Sequence, residues 1–143
     1  MIEKLIPHKI LDSINQYYRI VVGGIITVNN ESGILFIKRS KHEFMPNVWE
    51  IPSGGMEHGE TMLQALSREI KEETNLNILS VDDYKNATSY QVNEKNYLQI
   101  NFQVTCSGIL KLSDEHSNYA LSDINMFKDN LDEFMLKLLN LNR

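Results

Sequence analysis

Apolar positions along the chain follow two different periods, and the switches between them outline its elements. Ile6, Ile10, Ile14 and the Tyr17–Tyr18 pair recur at helical spacing, predicting a short amphipathic lead-in helix within residues 1–18, after Pro7. Arg19–Val28 is β-branched and almost wholly apolar and predicts a buried strand; Asn29–Gly33 is turn chemistry, and Ile34–Lys38 predicts a second strand, the two forming a hairpin. A loop with Pro46 and a short apolar piece around Trp49–Ile51 follow. Thr61 to about Thr74 is free of Gly and Pro and is the clearest helix. Leu76–Val81 predicts a strand, and Asn93–Asn96 a turn. Leu98, Ile100, Phe102, Val104 and Cys106 alternate with other residues, as in a strand buried on one face, and Ile109–Leu112 extends or pairs with it. Leu131, Met135, Leu138 and Leu139 form the stripe of a last helix. Helices and hairpins without regular strand–helix alternation give an α+β class, or a mixed-sheet sandwich.

Composition narrows this further. The chain has 143 residues, 42% hydrophobic and 23% charged, with a formal net charge of -5. That length suits a single domain, residues 1–143, with a core that needs no disulfide staple. The single cysteine, Cys106, has no internal partner, and no Cys/His cluster has zinc spacing. No apolar run has the length of a membrane span or of a signal peptide, so a cytoplasmic protein without membrane attachment is expected. The acidic balance argues against stable nucleic-acid binding but leaves room for a phosphorylated ligand held through a metal.

The chemistry concentrates between Gly54 and Leu76. On the predicted helix, Glu69, Glu72 and Glu73 share an arc of about 100°, beside the apolar stripe of Leu63, Leu66 and Ile70. Glu69 and Glu73 are like charges at i,i+4, and the acids lie toward the helix end that the dipole makes unfavourable for them. A hard divalent cation reverses both penalties, and magnesium favours such oxygen ligands while leaving space for phosphates. A merely solvated acidic face, with Arg68 paired to Glu72, is the competing reading of the helix alone.

The loop before the helix separates the two. Gly54, Glu60, Arg68-Glu69, Ile70, Glu72-Glu73 and Leu76 have the spacing of the signature of the Nudix hydrolases, and the segment resembles that family strongly; only Asn75 replaces a glycine. Asn is the common substitute where a helix ends in a left-handed residue. The Trp49-Glu50-Ile51-Pro52 lead-in and Lys38-Arg39 also look like the family.

The resemblance implies an α/β/α sandwich with a mixed β-sheet. It implies Mg²⁺-dependent hydrolysis of a diphosphate linkage, with Mn²⁺ as a substitute, in a nucleoside triphosphate or another nucleoside diphosphate derivative. Glu69, Glu72, Glu73 and the backbone carbonyl of Ser53 become metal ligands, although Ser53 stands where the family has glycine. Arg68 orients a glutamate or forms a surface salt bridge, and Glu60 ties loop to helix or partners the helix dipole. Gly54, Gly55 and Gly59 shape the loop around metal and phosphate. The general base is Glu69 or, from a later loop, Glu115; His116 beside it contacts phosphate or is solvated. Arg39 is a candidate phosphate contact. Trp49, Phe44, Tyr90 and Tyr97 are available to stack on a base, or fill the core. A Nudix-fold domain that binds nucleotides without cleaving them is the alternative, and self-association into a homodimer is left open.

Overall fold

The computed structural model describes residues 1–142. The N-terminal segment forms one turn of 3-10 helix (Ile2–Leu5), helix α1 (His8–Ser13) and a second 3-10 turn (Ile14–Gln16), rather than one continuous helix. Pro7 stands at the N-cap of α1, where its missing N–H costs nothing. Ile2 and Ile6 are buried, and Ile10, Leu11, Ile14 and Tyr17 pack at the edge of the same cluster.

Strand β1 (Arg19–Val28) lies inside a four-stranded mixed sheet. It pairs antiparallel with β4 (Ser53–Gly55) and parallel with β6 (Lys95–Ser107), and β6 pairs antiparallel with β5 (Asn77–Val92). Strand β2 (Ile34–Arg39) belongs to a second sheet, between β3 (Trp49–Glu50) and β7 (His116–Ser122). The expected hairpin of Arg19–Val28 with Ile34–Lys38 is therefore not formed. The turn chemistry is real, with Asn30 at φ 69° and Gly33 at φ 93°, but it carries the chain from one sheet to the other. Strand β1 is paired with β6 along its whole length and with β4 over Val21–Gly23, while β2 has its own two edges on β3 and β7.

Helix α2 (Met62–Thr74) starts at Thr61, whose side chain accepts from the Gln64 N–H while the Gln64 side chain accepts from the Thr61 N–H. It ends at Asn75, left-handed at φ 66°, whose amide donates to the Ile109 carbonyl. Met62, Ala65, Leu66 and Ile70 are buried with the core face of the four-stranded sheet. On the sheet's other side, Ile25, Phe36 and Ile51 pack with the C-terminal segment: α3 (Ile124–Phe127), a 3-10 turn (Lys128–Asn130) and α4 (Glu133–Leu138). Leu131, Met135, Leu138 and Leu139 are buried, but not as the stripe of one helix: Leu131 is extended ahead of α4 and Leu139 caps it.

Three further expectations are corrected. The strand predicted over Leu76–Val81 runs on to Val92, through irregularities at Ile78/Ser80, Val81/Asp83 and Tyr84/Asn86. Each adds one residue to β5, so its core-facing residues Ile78, Val81, Tyr84 and Ala87 recur every third position and hide the period of two. In β6 the alternating apolar face is correct, but Gln99 and Asn101 on the opposite face are buried as well. The C-terminal segment covers them, and Asn101 and Asn86 both donate to the Leu138 carbonyl. Ile109–Leu112 is not a strand; Lys111 and Ser113 instead donate to the carbonyls of Thr74 and Glu73 at the end of α2.

Because one capping box fixes the start of α2, Thr61→Ala is expected to cost about 1 kcal/mol. Urea unfolding should show a lower midpoint at unchanged m-value; an unchanged midpoint would mean that packing alone sets the helix start.

Candidate active site

The loop from Ser53 to Glu60 and the acidic face of α2 are built against each other. Gly54 lies in extended β4, so backbone freedom does not explain it; space does. A Cβ there would fall 1.9 Å from the Glu69 carboxyl carbon. Arg68 closes the junction: its guanidinium donates to both oxygens of Glu60 at 2.7 and 2.9 Å, to Glu69 at 2.8 Å and to the Gly55 carbonyl at 3.1 Å. Glu60 also accepts from the Glu57 N–H. These bonds, the Arg68 fork foremost, pull the Glu60 carboxyl down to about 2. The same acids hold the Arg68 proton more tightly than usual. Glu72 lies 3.5 Å from Arg68 but stays largely exposed.

Glu73 is the outlier of the three helix acids. It is 7% exposed, and among the described residues its side chain accepts one hydrogen bond, from the Ser53 N–H at 3.0 Å. Burial first, then the charges of Glu50 and Glu69, push its carboxyl well above the ordinary range. Glu69 is raised less; its burial is partly offset by Arg68. Glu115, exposed on the loop after Ser113, adds its charge to both. The structure thus brings Glu69, Glu72, Glu73, Ser53 and the Glu115 loop to one place. Ser53 has no left-handed backbone, so its Cβ is accommodated without strain.

The pairing of two further neighbours escaped the sequence reading. Glu50 lies on β3, and His116 starts β7, buried at 4% exposure rather than solvated. The His116 Nε2 lies 2.7 Å from Glu50 Oε2, and donor atoms of Glu50, Glu73 and His116 all fall within 4.8 Å of one another. A bulge brings the imidazole inward: Lys38 pairs with Asn118 but Arg39 with His116, leaving Ser117 as the extra residue. His116 Nδ1 is buried without a partner among the described residues. Ser40 pins the adjacent loop, its N–H donating to Glu115 O and its hydroxyl to Asp114 O. The one sequence signal was Glu50 in the Trp-Glu-Ile-Pro lead-in; its pairing with a residue 66 positions away needs the register of three strands.

Arg39 is not a free phosphate contact. Its guanidinium donates to Glu50 at 3.2 Å and to the Phe44 carbonyl at 2.6 Å and lies 3.5 Å from Glu43. Trp49 is half-buried edge-on to Phe127, with Lys38 over its ring, and Phe44 is 79% exposed. Tyr90 and Tyr97 stack on each other across β5 and β6. Cys106 is fully buried, and burial pushes its thiol up to about 12, unsuited to nucleophilic work.

The profile of the NUDIX domain matches residues 17–140. The chain belongs to the Nudix family. Known Nudix structures share its fold: the MutT protein of Methanosarcina mazei (TM-score 0.73, 21% identity, 85% of this chain and 90% of that one) and the Ap4A hydrolase of C. elegans (TM-score 0.67, 23% identity, 85% and 93%). Among curated relatives, the RNA pyrophosphohydrolase of Acinetobacter baylyi is 33% identical over 111 residues, 70% of this chain. That of Psychrobacter cryohalolentis is 41% identical over 59 residues, 41% of this chain. The matches span only 64% and 32% of those relatives' own lengths. Among the described residues, no helix of this Nudix chain is long and apolar enough to cross a membrane.

A buried acid with a raised pKa opposes folding as pH increases: above the unfolded value near 4.5, the unfolded chain releases a proton that folded Glu73 retains. In chelator, Glu73→Gln is therefore expected to melt higher than the natural protein at pH 7, the advantage disappearing below pH 4.5. Glutamine keeps an acceptor for the Ser53 N–H. A variant less stable at every pH would show that the ionised form is favoured even without metal.

Proposed function

We propose that this chain hydrolyses a diphosphate linkage in a nucleoside triphosphate or another nucleoside diphosphate derivative, with Mg²⁺ as cofactor and Mn²⁺ as its substitute. One observation carries the reading: Glu73 is buried beside Glu69 and Glu50 with no Lys or Arg paired to it among the described residues, within a Nudix signature. Arg68 neutralises Glu60 and part of Glu69, and Arg39 is spent on Glu50 and Glu43, so charge remains uncompensated. An all-oxygen donor set with excess negative charge fits a hard divalent cation. Glu69, Glu72, Glu73 and the carbonyl of Ser53 would hold it. When bound, such a cation acidifies water and offsets the charge of the diphosphate.

The chain's own residues do the rest. Arg68 fixes the rotamer of Glu69 through a direct bond and locks the loop through the Gly55 carbonyl. Gly54 leaves Glu69 the volume it needs. A proton from the attacking water passes to Glu69 or to Glu115, which is held near the acids by the Ser40 bonds to its loop. The names of the curated relatives support pyrophosphohydrolysis, and they add RNA to the substrates worth testing. Residues 1–143 are read as one domain acting in the cytoplasm.

The test is phosphate and pyrophosphate release over a panel of nucleotides and a 5′-triphosphate oligonucleotide. Activity is expected to vanish in chelator and return with Mg²⁺ or Mn²⁺; a panel without turnover favours a binding domain instead. Glu73→Gln and Glu72→Gln should raise the Mg²⁺ requirement as well as lower the rate. If Glu115 is the base, Glu115→Gln should lose ~10²-fold or more in rate at nearly unchanged metal dependence. Near-full activity in that variant moves the role to Glu69.

A further inference from the structure

The two arginines closest to the acids have their guanidinium groups committed to carboxylates, which leaves open what holds the anionic substrate. Arg19, at the start of β1, differs from both. It is exposed, its Nε donates to the Met56 carbonyl at 3.2 Å, and it forms no ion pair with a carboxylate among the described residues. That bond anchors the group over the motif loop, and its two terminal nitrogens make no hydrogen bond among the described residues. The loop is shaped for it: a Cβ at Gly55 would lie 2.3 Å from the Arg19 guanidinium carbon. Gly54 and Gly55 thus make room in two directions, one for Glu69 and the next for Arg19, as successive residues of a strand must.

The same face continues away from the loop. Arg19 pairs in register with Tyr97 on β6, and Tyr97 with Tyr90 on β5, so a guanidinium and two rings form a row across three strands. Tyr90 and Tyr97 are stacked with centroids 5.5 Å apart; Phe134 stands edge-on to Tyr90, and Tyr18 edge-on to Tyr97. The two central rings are only half-buried, and Tyr18 is 60% exposed with the Lys95 ammonium 4.0 Å from its centroid. A row of this kind offers an anchored fork for phosphate at the motif end and aromatic surface for a planar base beyond it.

We infer that Arg19 with the Tyr97–Tyr90 pair is the nucleotide-recognition subsite: Arg19 binds a phosphate of the diphosphate chain and the rings receive the base. The inference rests on the hydrolytic reading for its choice of ligand, but it is tested by binding alone. Calorimetry with the α,β-methylene analogues of ADP, GDP and UDP in Mg²⁺, whose single phosphate–phosphate link is a P–C–P bridge, reads affinity without turnover, and methylenediphosphonate, added as a competitor, reads the phosphate part alone. Arg19→Gln is expected to weaken all four ligands ~10–100-fold, the loss of one charge-assisted contact, and Arg19→Lys to recover part of it.

Tyr97→Leu should weaken the nucleoside analogues several-fold and leave methylenediphosphonate unchanged. Because Tyr97 is half-buried, saturation-transfer NMR on the natural protein supplies an independent reading, with transfer expected from tyrosine ring protons to base protons. Affinity within twofold of the natural protein in Arg19→Gln overturns the subsite, as does absence of analogue binding or of ring-to-base transfer. Turnover is measured separately: Arg19-dependent binding without turnover keeps the subsite and removes the hydrolase, and turnover with Arg19-independent binding does the reverse.

Discussion

The carboxyl group of Glu69 occupies the volume where any residue but glycine would carry its Cβ at position 54. This close approach joins a strand end to a helix face and fixes how α2 lies against β4. Arg68 makes the junction rigid, because a planar fork can satisfy Glu60, Glu69 and the Gly55 carbonyl together only in one placement of the loop. Ser53 is then delivered to Glu73, and the buried carboxylate receives one backbone N–H and no positive charge. The signature segment is thus a mechanical unit before it is a chemical one. Its glycines provide clearance, its arginine provides rigidity, and its acids are left in a state that folding alone does not favour.

That unfavourable state is confined to a small region, and its surroundings show how the fold sustains it. Leu66 and Ile70 on the same helix are completely buried, and Val22 and Ile26 behind them are likewise excluded from water. Each fully buried side chain of this size contributes roughly 1.5–3 kcal/mol, so a few of them offset one poorly solvated carboxylate. The acids are carried by α2, the longest helix among the described residues, at the edge of its apolar stripe. A site built on a rigid element can keep like charges together without the element moving to relieve them.

Much of this was legible in the sequence because the information was local. The extent of α2, the acidic arc and the left-handed end at Asn75 all lie within one helix and its cap, where spacing translates directly into geometry. The strand over residues 77–92 was only partly legible. Three bulges change its inward period from two to three, and alternation cannot register that. The separation of β1 and β2 into different sheets was also hidden, since it depends on which ladder edges more distant strands have taken. The same holds at the site. Arg39 reads as a free cation beside the motif until Glu43 and Glu50 are seen on it, and His116 reads as a solvated loop residue until the bulge at Ser117 brings it inward.

The distribution of arginine partners shows which charges serve architecture and which remain for a ligand. A guanidinium bound by two carboxylates adds little attraction for a further anion, because its field is already cancelled at short range. Arg68 and Arg39 are of this kind, and each joins segments that would otherwise be independent: loop to helix in one case, and strand β2 to its neighbour β3 in the other. Removing either would leave carboxylates unpaired in partly buried surroundings, so their value lies in holding acids apart and in place. The His116–Glu50 bond extends that scaffold to the loop of Glu115. What the scaffold leaves is an uncompensated negative cluster on one face of β4 and an exposed positive group at Arg19 on the other. The two lie on opposite faces of one edge strand. A strand of three residues thus separates the two charges, and its paired glycines are what let both approach it so closely.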